Sequence, residues 1–132
     1  MIKRLTPGNI HPPLARYAHA TEVPPGARWL VLSGQLGIAA DGSIPPDVES
    51  QATVCFENIV AILREASMDV SNLVRLTTYL TDEADLAAYM KVRDRFVADP
   101  PPASTLLVVR SFSKKQFLVE IEAIAAKVGA DP

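Results

Sequence analysis

Two glutamates near the end of the chain, Glu120 and Glu122, are the residues best placed for acid-base chemistry. They alternate with apolar residues in the segment 118–124, which reads LVEIEAI. In a β-strand this period of two places both carboxylates on one face of a sheet and Val119 and Ile121 on the other. Paired carboxylates can transfer protons during hydrolysis. By periodicity alone, a polar row that faces solvent is the simpler interpretation.

Other reactive residue types are scattered along the chain. Cys55 falls on the apolar stripe of a predicted helix, which favours a buried core residue over a nucleophile. His11 and His19 have no cysteine or carboxylate at metal-ligand spacing, so no metal site is predicted. Tyr17 and Ser33 are hydroxyl residues at the ends of predicted strands, where turn chemistry is the common role.

The charge and length of the chain exclude several classes of protein. The 13 basic and 15 acidic residues give a net charge of −2, which lacks the positive field that binds nucleic acid. No apolar run is long enough to span a membrane, so no membrane partner is predicted. The 132 residues fit one domain spanning 1–132. The single cysteine and the absence of a signal-peptide pattern favour a cytoplasmic location.

The pattern of apolar residues and prolines predicts the elements that must position these side chains. Strands are predicted at 17–23, 28–35, 73–80, 104–111 and 117–128, with a further short strand at 2–5. Helices are predicted at 47–67 and 82–98, capped by Asp47 and Asp82. The first two long strands are predicted to form a hairpin through the turn at 24–26. This order predicts an α+β fold in which two helices cover one face of the sheet and leave the other face bare.

Four segments in this order resemble the RidA/YjgF family, also called the L-PSP or endoribonuclease L-PSP family. They are LVLSGQ at 30–35, the helix piece from Gln51 to Ile59, LTTYL at 76–80 followed by Asp82, and VEIEAIA at 119–125. Each piece is weak alone, but their order and spacing from about Tyr17 to Lys127 make the resemblance specific.

The resemblance implies a chorismate-mutase-like α+β fold with a mixed sheet, assembled as a homotrimer with a small-molecule cleft at each subunit interface. Active members hydrolyse reactive imines and enamines without a cofactor, releasing a ketoacid and ammonia. In them an arginine in a Pro-Ala-Arg-Ser/Thr motif binds the substrate carboxylate. The residue matching Glu120 positions water or transfers protons, and those matching Tyr17 and Ser33 line the cleft.

This chain departs from the family at the arginine. The matching stretch 101–105 reads PPAST. Alignment on Pro102 and Ala103 places the arginine position at Ser104, whereas counting back from Glu120 places it at Thr105. Neither side chain can hold a carboxylate through two charged hydrogen bonds. The pair is expected to contact the substrate and to favour less anionic ligands.

Two further positions bear on this departure. Arg110 is six residues beyond Ser104 on the predicted strand. At about 3.3 Å per residue it lies about 20 Å away, too far to serve the same pocket in its own chain. The helix asparagine of the family is also absent, with Met90 in its place.

Two functions from different classes follow from these observations. The first is a small-molecule enzyme resembling RidA-type imine and enamine deaminases, with Glu120 as acid and base and with altered specificity. The alternative is a trimer that binds a small ligand at its subunit interfaces without turnover, as a sensor or scavenger. RNA cleavage is a third possible function, but the acidic net charge and the lack of a histidine pair for acid-base catalysis argue against it.

Overall fold

Six strands and two α-helices make up the computed structural model of the chain, which describes residues 1–129. The strands are β1 Lys3–Leu5, β2 Ala20–Glu22, β3 Arg28–Leu36, β4 Leu73–Leu80, β5 Ala103–Val108 and β6 Val119–Lys127, and the helices are α1 Val48–Glu65 and α2 Leu86–Phe96. Within the described part of the chain, no helix is long and apolar enough to cross a membrane.

The main sheet has four strands in the order β3-β6-β4-β5. Strand β6 lies between β3 and β4 and is antiparallel to both, while β4 and β5 are parallel and are connected through α2. Both helices pack on one side of this sheet, and the core lies between the two layers. The predicted α+β fold, with a mixed sheet and two helices on one face, is therefore confirmed.

Helix α1 forms where its apolar stripe and its cap predict. The Asp47 carboxylate accepts a hydrogen bond from the Ser50 backbone N–H at 2.7 Å, which satisfies one of the free donors of the first turn. Helix α2 begins later than predicted, because Asp82 instead caps a single 3₁₀ turn at Glu83–Asp85 that precedes it. The 3₁₀ turn is a common way for a chain to enter an α-helix.

The predicted hairpin is wrong. Strand β2 pairs with β1 in a separate two-stranded sheet, and β3 pairs with β6. Strand β2 has only three residues, whereas β6 has nine, the same number as β3, so β3 forms a much longer ladder with β6 than β2 could offer. The turn, where Gly26 adopts a φ of +81°, instead carries the chain from one sheet to the other.

A buried glutamine links α1 to the start of β6 and so helps to place the glutamates of that strand. The Gln51 side-chain N–H₂ donates to the carbonyl oxygens of Pro45 at 2.8 Å and Gln116 at 2.7 Å. Its carbonyl oxygen accepts from the Leu118 backbone N–H at 2.9 Å. Because buried polar groups must be hydrogen-bonded, this side chain constrains the residues that enter β6.

Replacing Gly37 with alanine is expected to destabilise the fold. A Cβ at Gly37 would lie 2.6 Å from Gln51 Cβ and 2.9 Å from its Cα, so helix α1 itself would have to move. Overpacking of this kind costs about 1–3 kcal/mol, and this loss should be seen in denaturant unfolding. The matched control is Gly8→Ala, where nothing lies within 4 Å of the added Cβ. Equal stability of the two variants would contradict the close approach.

The face of the sheet opposite the helices, called the open face below, carries both polar and apolar side chains. Trp29, Val31 and Leu107 lie on it and remain 58%, 75% and 50% exposed. Large apolar side chains grouped on one exposed surface are typical of sites that contact another molecule. The bare face predicted from the sequence is therefore present in the single chain.

Candidate functional site

Glu120 and Glu122 both lie on the open face, as their spacing predicts. Each is partly buried, whereas Val119 and Ile121, which alternate with them along the strand, are fully buried on the helix side. Glu120 is opposite Tyr79 of β4 and Leu36 of β3, and Glu122 is opposite Thr77. The two carboxylates therefore lie on one of the two inner strands of the sheet, β6, with a strand on each side.

Glu120 lies directly against the backbone of Gly34. A Cβ added to Gly34 would overlap the Glu120 carboxylate, so this position requires glycine as long as the carboxylate stays in place. The register of β3 and β6 shifts between Leu32 and Gln35, which marks a β-bulge at this point. Bulges of this kind re-aim side chains next to functional sites. Among residues 1–129, no group donates a hydrogen bond to the Glu120 carboxylate.

Glu122 has a direct partner on the next strand. The Tyr79 hydroxyl donates a hydrogen bond to Glu122 Oε1 at 2.6 Å. This hydrogen bond, followed by burial and by the charges of Glu122 and Glu120, raises the pKa of the Tyr79 phenol, and Arg75 opposes the change. Glu122 is thus engaged by a neutral donor, while Glu120 keeps its oxygens free for a ligand or a water molecule.

A cation that the sequence analysis missed, Arg75, lies on the same face. Its Nη2 donates to Thr105 Oγ1 at 2.7 Å and its Nε donates to Thr77 Oγ1 at 3.3 Å. The signal was present in β4, where Arg75, Thr77 and Tyr79 alternate with the buried Leu76, Thr78 and Leu80. This alternation places the three polar side chains on one face.

A shallow cavity of about 190 Å³ opens between these groups. It is lined by Val31, Leu32, Arg75, Thr77, Glu122, Ala123 and Ile124. At about 30 Å³ per water molecule in the liquid, this volume corresponds to about six waters. It can accept part of a small metabolite and brings a guanidinium and a carboxylate to the same opening.

A larger cavity of about 470 Å³ lies at the far end of the sheet, near the start of the chain, and contains neither glutamate. The two cationic side chains that line it donate to backbone carbonyl oxygens: Arg4 to those of Pro101 and Ser71, and Lys127 to that of Ser67. Size alone therefore does not identify the site, and the smaller cavity holds the chemically suited side chains.

The structure separates the two candidate positions of the missing arginine. Ser104 is opposite Leu76, a core residue, and so lies on the face that the helices cover. Thr105 is opposite Thr77 and accepts the hydrogen bond from Arg75, so it lies on the open face. Of the two, Thr105 shares a face with the glutamates.

Tyr17 and Ser33 lie at opposite edges of the sheet in one chain. Ser33 is exposed in β3, beside the strand of Glu120. Tyr17 lies beyond β5, where Ala18 pairs with Ala103. At about 4.8 Å per strand, the two are about 19 Å apart across the sheet. A single chain therefore does not bring them into one cleft.

Cys55 is part of the core, as predicted. Its side chain is fully buried in α1 and its thiol donates to the Gln35 carbonyl oxygen at 3.3 Å. Burial, and then the charge of Glu120, raise the pKa of this thiol to about 12. A thiol that stays protonated near neutral pH is a poor nucleophile.

The two histidines lie outside the glutamate site. His19 Nε2 is 2.7 Å from the carbonyl oxygen of His11, and the His19 ring packs edge-on against Tyr17. Across residues 1–129, no group of three or more histidine, cysteine, aspartate or glutamate side chains is arranged to hold a metal ion.

Comparison with known proteins gives consistent matches over most of the chain. The pattern of the endoribonuclease L-PSP family matches residues 9–127. TdcF of Escherichia coli, whose name describes a reactive intermediate deaminase, is 35% identical over 100 residues, covering 72% of this chain and 76% of TdcF. Protein mmf2 of Schizosaccharomyces pombe, named as mitochondrial, is 33% identical over 97 residues, covering 72% of this chain and 77% of mmf2.

Solved structures show the same fold. YyfB of Yersinia pestis, a Rid family protein, superposes with a TM-score of 0.85 at 26% identity, covering 96% of this chain and 98% of YyfB. The structure of E. coli TdcF with bound serine superposes with a TM-score of 0.71 at 31% identity, covering 92% of each chain. The arrangement of the two helices and the mixed sheet is thus that of a known architecture.

Proposed function

Because the chain belongs to the endoribonuclease L-PSP family, the RidA/YjgF family that its motifs resemble, we propose that it hydrolyses a reactive imine or enamine at a cleft formed by the open face. The observation that carries this proposal is the Glu120 carboxylate, which lies on that face against Gly34 and is free of donors from residues 1–129. The name of TdcF and the serine in its crystal structure support a small ligand derived from an amino acid.

In the proposed reaction Glu120 acts first as a base and then as an acid. It accepts a proton from a water molecule while the water oxygen bonds to the carbon of the protonated imine and the C=N π electrons move to nitrogen, which gives a carbinolamine. Glu120 then gives this proton to the amine nitrogen. The carbinolamine hydroxyl passes its proton to Glu120 as the carbon–oxygen double bond forms and the carbon–nitrogen bond breaks with its electrons going to nitrogen. The ammonia takes up the proton left on Glu120, so ammonium and a carbonyl product leave. No cofactor is required, because one carboxylate supplies every proton transfer. Ser33, Thr105 and Tyr17 remain the proposed substrate contacts. Ser104, which the sequence also proposed, lies on the face that the helices cover and is therefore not assigned to this cleft.

The proposed active form is a homotrimer of single-domain subunits with the open faces packed inside. Two observations support it. Trp29, Val31 and Leu107 are exposed together on that face, and Tyr17 and Ser33 can line one cleft only if different subunits supply them.

We expect sedimentation equilibrium at micromolar concentration to give about three times the chain mass of 14.3 kDa. Replacing Val31 with lysine should shift the distribution towards smaller species, because burying an unpaired charge is costly. The control is Leu86→Lys, at an exposed apolar residue at the start of α2, on the helical side of the molecule. A wild-type protein that sediments as a 14 kDa monomer would contradict the trimer.

The enzymatic and ligand-binding readings are separated by one assay. Imines are generated freshly from neutral and acidic amino acids, and the release of ketoacid is followed with and without the protein. Acceleration over the spontaneous rate supports hydrolysis, with a substrate preference that differs from arginine-bearing relatives because the 101–105 stretch lacks that residue. Saturable binding of the ketoacid without acceleration supports the alternative of a sensor or scavenger.

RNA cleavage is not proposed, although the family description contains the word endoribonuclease. The pI is about 5.6, so the chain lacks the overall positive charge that binds a phosphate backbone. A cytoplasmic location is proposed from the single cysteine, which suits a reducing compartment. The relative mmf2 is named for a different compartment.

A further inference from the structure

We propose that Arg75 supplies the cation that binds the substrate carboxylate, and that the ligands of this site are therefore 2-iminoacids. The inference rests on the proposed function, since it assigns the substrate class of the same cleft. It replaces the expectation, drawn from the sequence, that a Ser-Thr pair without a cation favours less anionic ligands.

The first support is the position of the guanidinium. Arg75 begins on β4, one strand away from Thr105, and its Nη2 reaches Thr105 Oγ1 at 2.7 Å. Thr105 is one of the two positions at which the arginine of the family motif is missing, and the one on the open face. A guanidinium therefore lies at this position, although it is delivered from the neighbouring strand.

The second support is the capacity that the guanidinium retains. It has five N–H donors, of which one is used on Thr77 and one on Thr105. Arg75 is exposed, and no carboxylate of residues 1–129 forms an ion pair with it. The two threonine hydroxyls orient the planar group without neutralising it, which leaves donors for a bidentate bond to a carboxylate.

The third support is the distribution of charge around the 190 Å³ cavity. Arg75 and Thr77 line one side and Glu122 the other. Glu120 and Tyr79 lie next to this lining, two residues away along β6 and β4. A protonated 2-iminoacid carries a carboxylate and a cationic nitrogen on adjacent carbons. Bound with its carboxylate on Arg75, it directs the nitrogen towards β6, where the glutamates lie. A neutral imine would leave the guanidinium without an anionic partner.

The test measures binding of two ligands of the same shape, 2-oxobutanoate and its neutral amide 2-oxobutanamide, by titration calorimetry. Wild-type protein should bind the carboxylate at least about tenfold more tightly than the amide, which corresponds to about 1.4 kcal/mol. Arg75→Gln should remove this preference, and so should Arg75→Met, which keeps the length of the chain without its charge. Arg64→Gln, an exposed arginine on α1, is the matched control and should keep the preference.

The outcomes separate this inference from the proposed function. A wild-type preference for the amide or for neither ligand, or an undiminished carboxylate preference in the two Arg75 variants, would overturn the role of Arg75.

Imine hydrolysis is measured in parallel on a 2-iminoacid and a neutral imine. Carboxylate binding that depends on Arg75 without turnover supports the inference while the catalytic proposal fails. Turnover that Arg75→Gln reduces equally on both substrates supports catalysis but overturns the inference.

Discussion

Glu120→Gln is expected to abolish imine hydrolysis while the protein keeps its fold and assembly. Glutamine has nearly the shape of glutamate, but its amide cannot accept and return a proton. Loss of a general acid-base group costs about 10²- to 10⁴-fold in rate. The measurement is steady-state ketoacid release, with kcat expected to carry most of the loss. Thermal unfolding and sedimentation of the variant should match the wild type, because Glu120 accepts no hydrogen bond from residues 1–129.

Two companion variants define what this result means. Glu57→Gln changes an exposed glutamate on α1 and should leave the rate unchanged. Glu122→Gln keeps an oxygen that can accept from Tyr79 and should lower the rate less than the change at Glu120. If Glu120→Gln turns over at the wild-type rate, Glu120 has no catalytic role and is only a polar residue on the face of the sheet. If Glu122→Gln lowers the rate more than Glu120→Gln does, the acid-base role belongs to Glu122.

Gly34→Ala is expected to cost about a hundredfold in rate with little loss of stability. The new methyl group would occupy the space of the Glu120 carboxylate, which must then rotate away. The end of a flexible side chain moves cheaply, so the fold tolerates the change. A catalytic group displaced by about 1 Å can nevertheless lose about a hundredfold in rate.

Comparison with Gly37→Ala makes the expectation specific. At Gly37 the added methyl group meets the backbone of α1, and at Gly34 it meets only a side chain. The first variant should unfold more easily, and the second should lose activity at nearly unchanged stability. Gly8→Ala should change neither property. A Gly34→Ala enzyme with full activity would show that the carboxylate does not work from its position against Gly34.

Several elements were predictable because their signals are local. Strand β4 has the predicted bounds, Leu73 to Leu80, since a run of β-branched and apolar residues between polar stretches leaves few alternatives. The placement of Glu120 and Glu122 on one face follows from the two-residue period of a strand. The cap of α1 was equally readable, because Asp47 precedes the first apolar residue of the helix.

Other features depend on contacts between distant parts of the chain. Nothing near β2 indicates that β1, and not β3, is its partner, because pairing is decided by the whole sheet. The choice between Ser104 and Thr105 required the register of β5 against β4. The same register brings Arg75 to Thr105, which are 30 residues apart in the chain. From the sequence, only Arg110, on the same predicted strand as Ser104, was considered as a replacement cation. Arg75 was therefore missed, because it lies on the neighbouring strand.

The position of Trp29 has a spectroscopic consequence. It is the only tryptophan of the chain, and its indole lies on the open face, more than half exposed. The emission of an indole moves to shorter wavelength when water is removed from it. When other subunits cover the open face, the intrinsic emission of Trp29 should therefore shift to shorter wavelength, and no added label is needed to see it. Dilution would then report assembly through a single chromophore, at concentrations far below those that sedimentation requires.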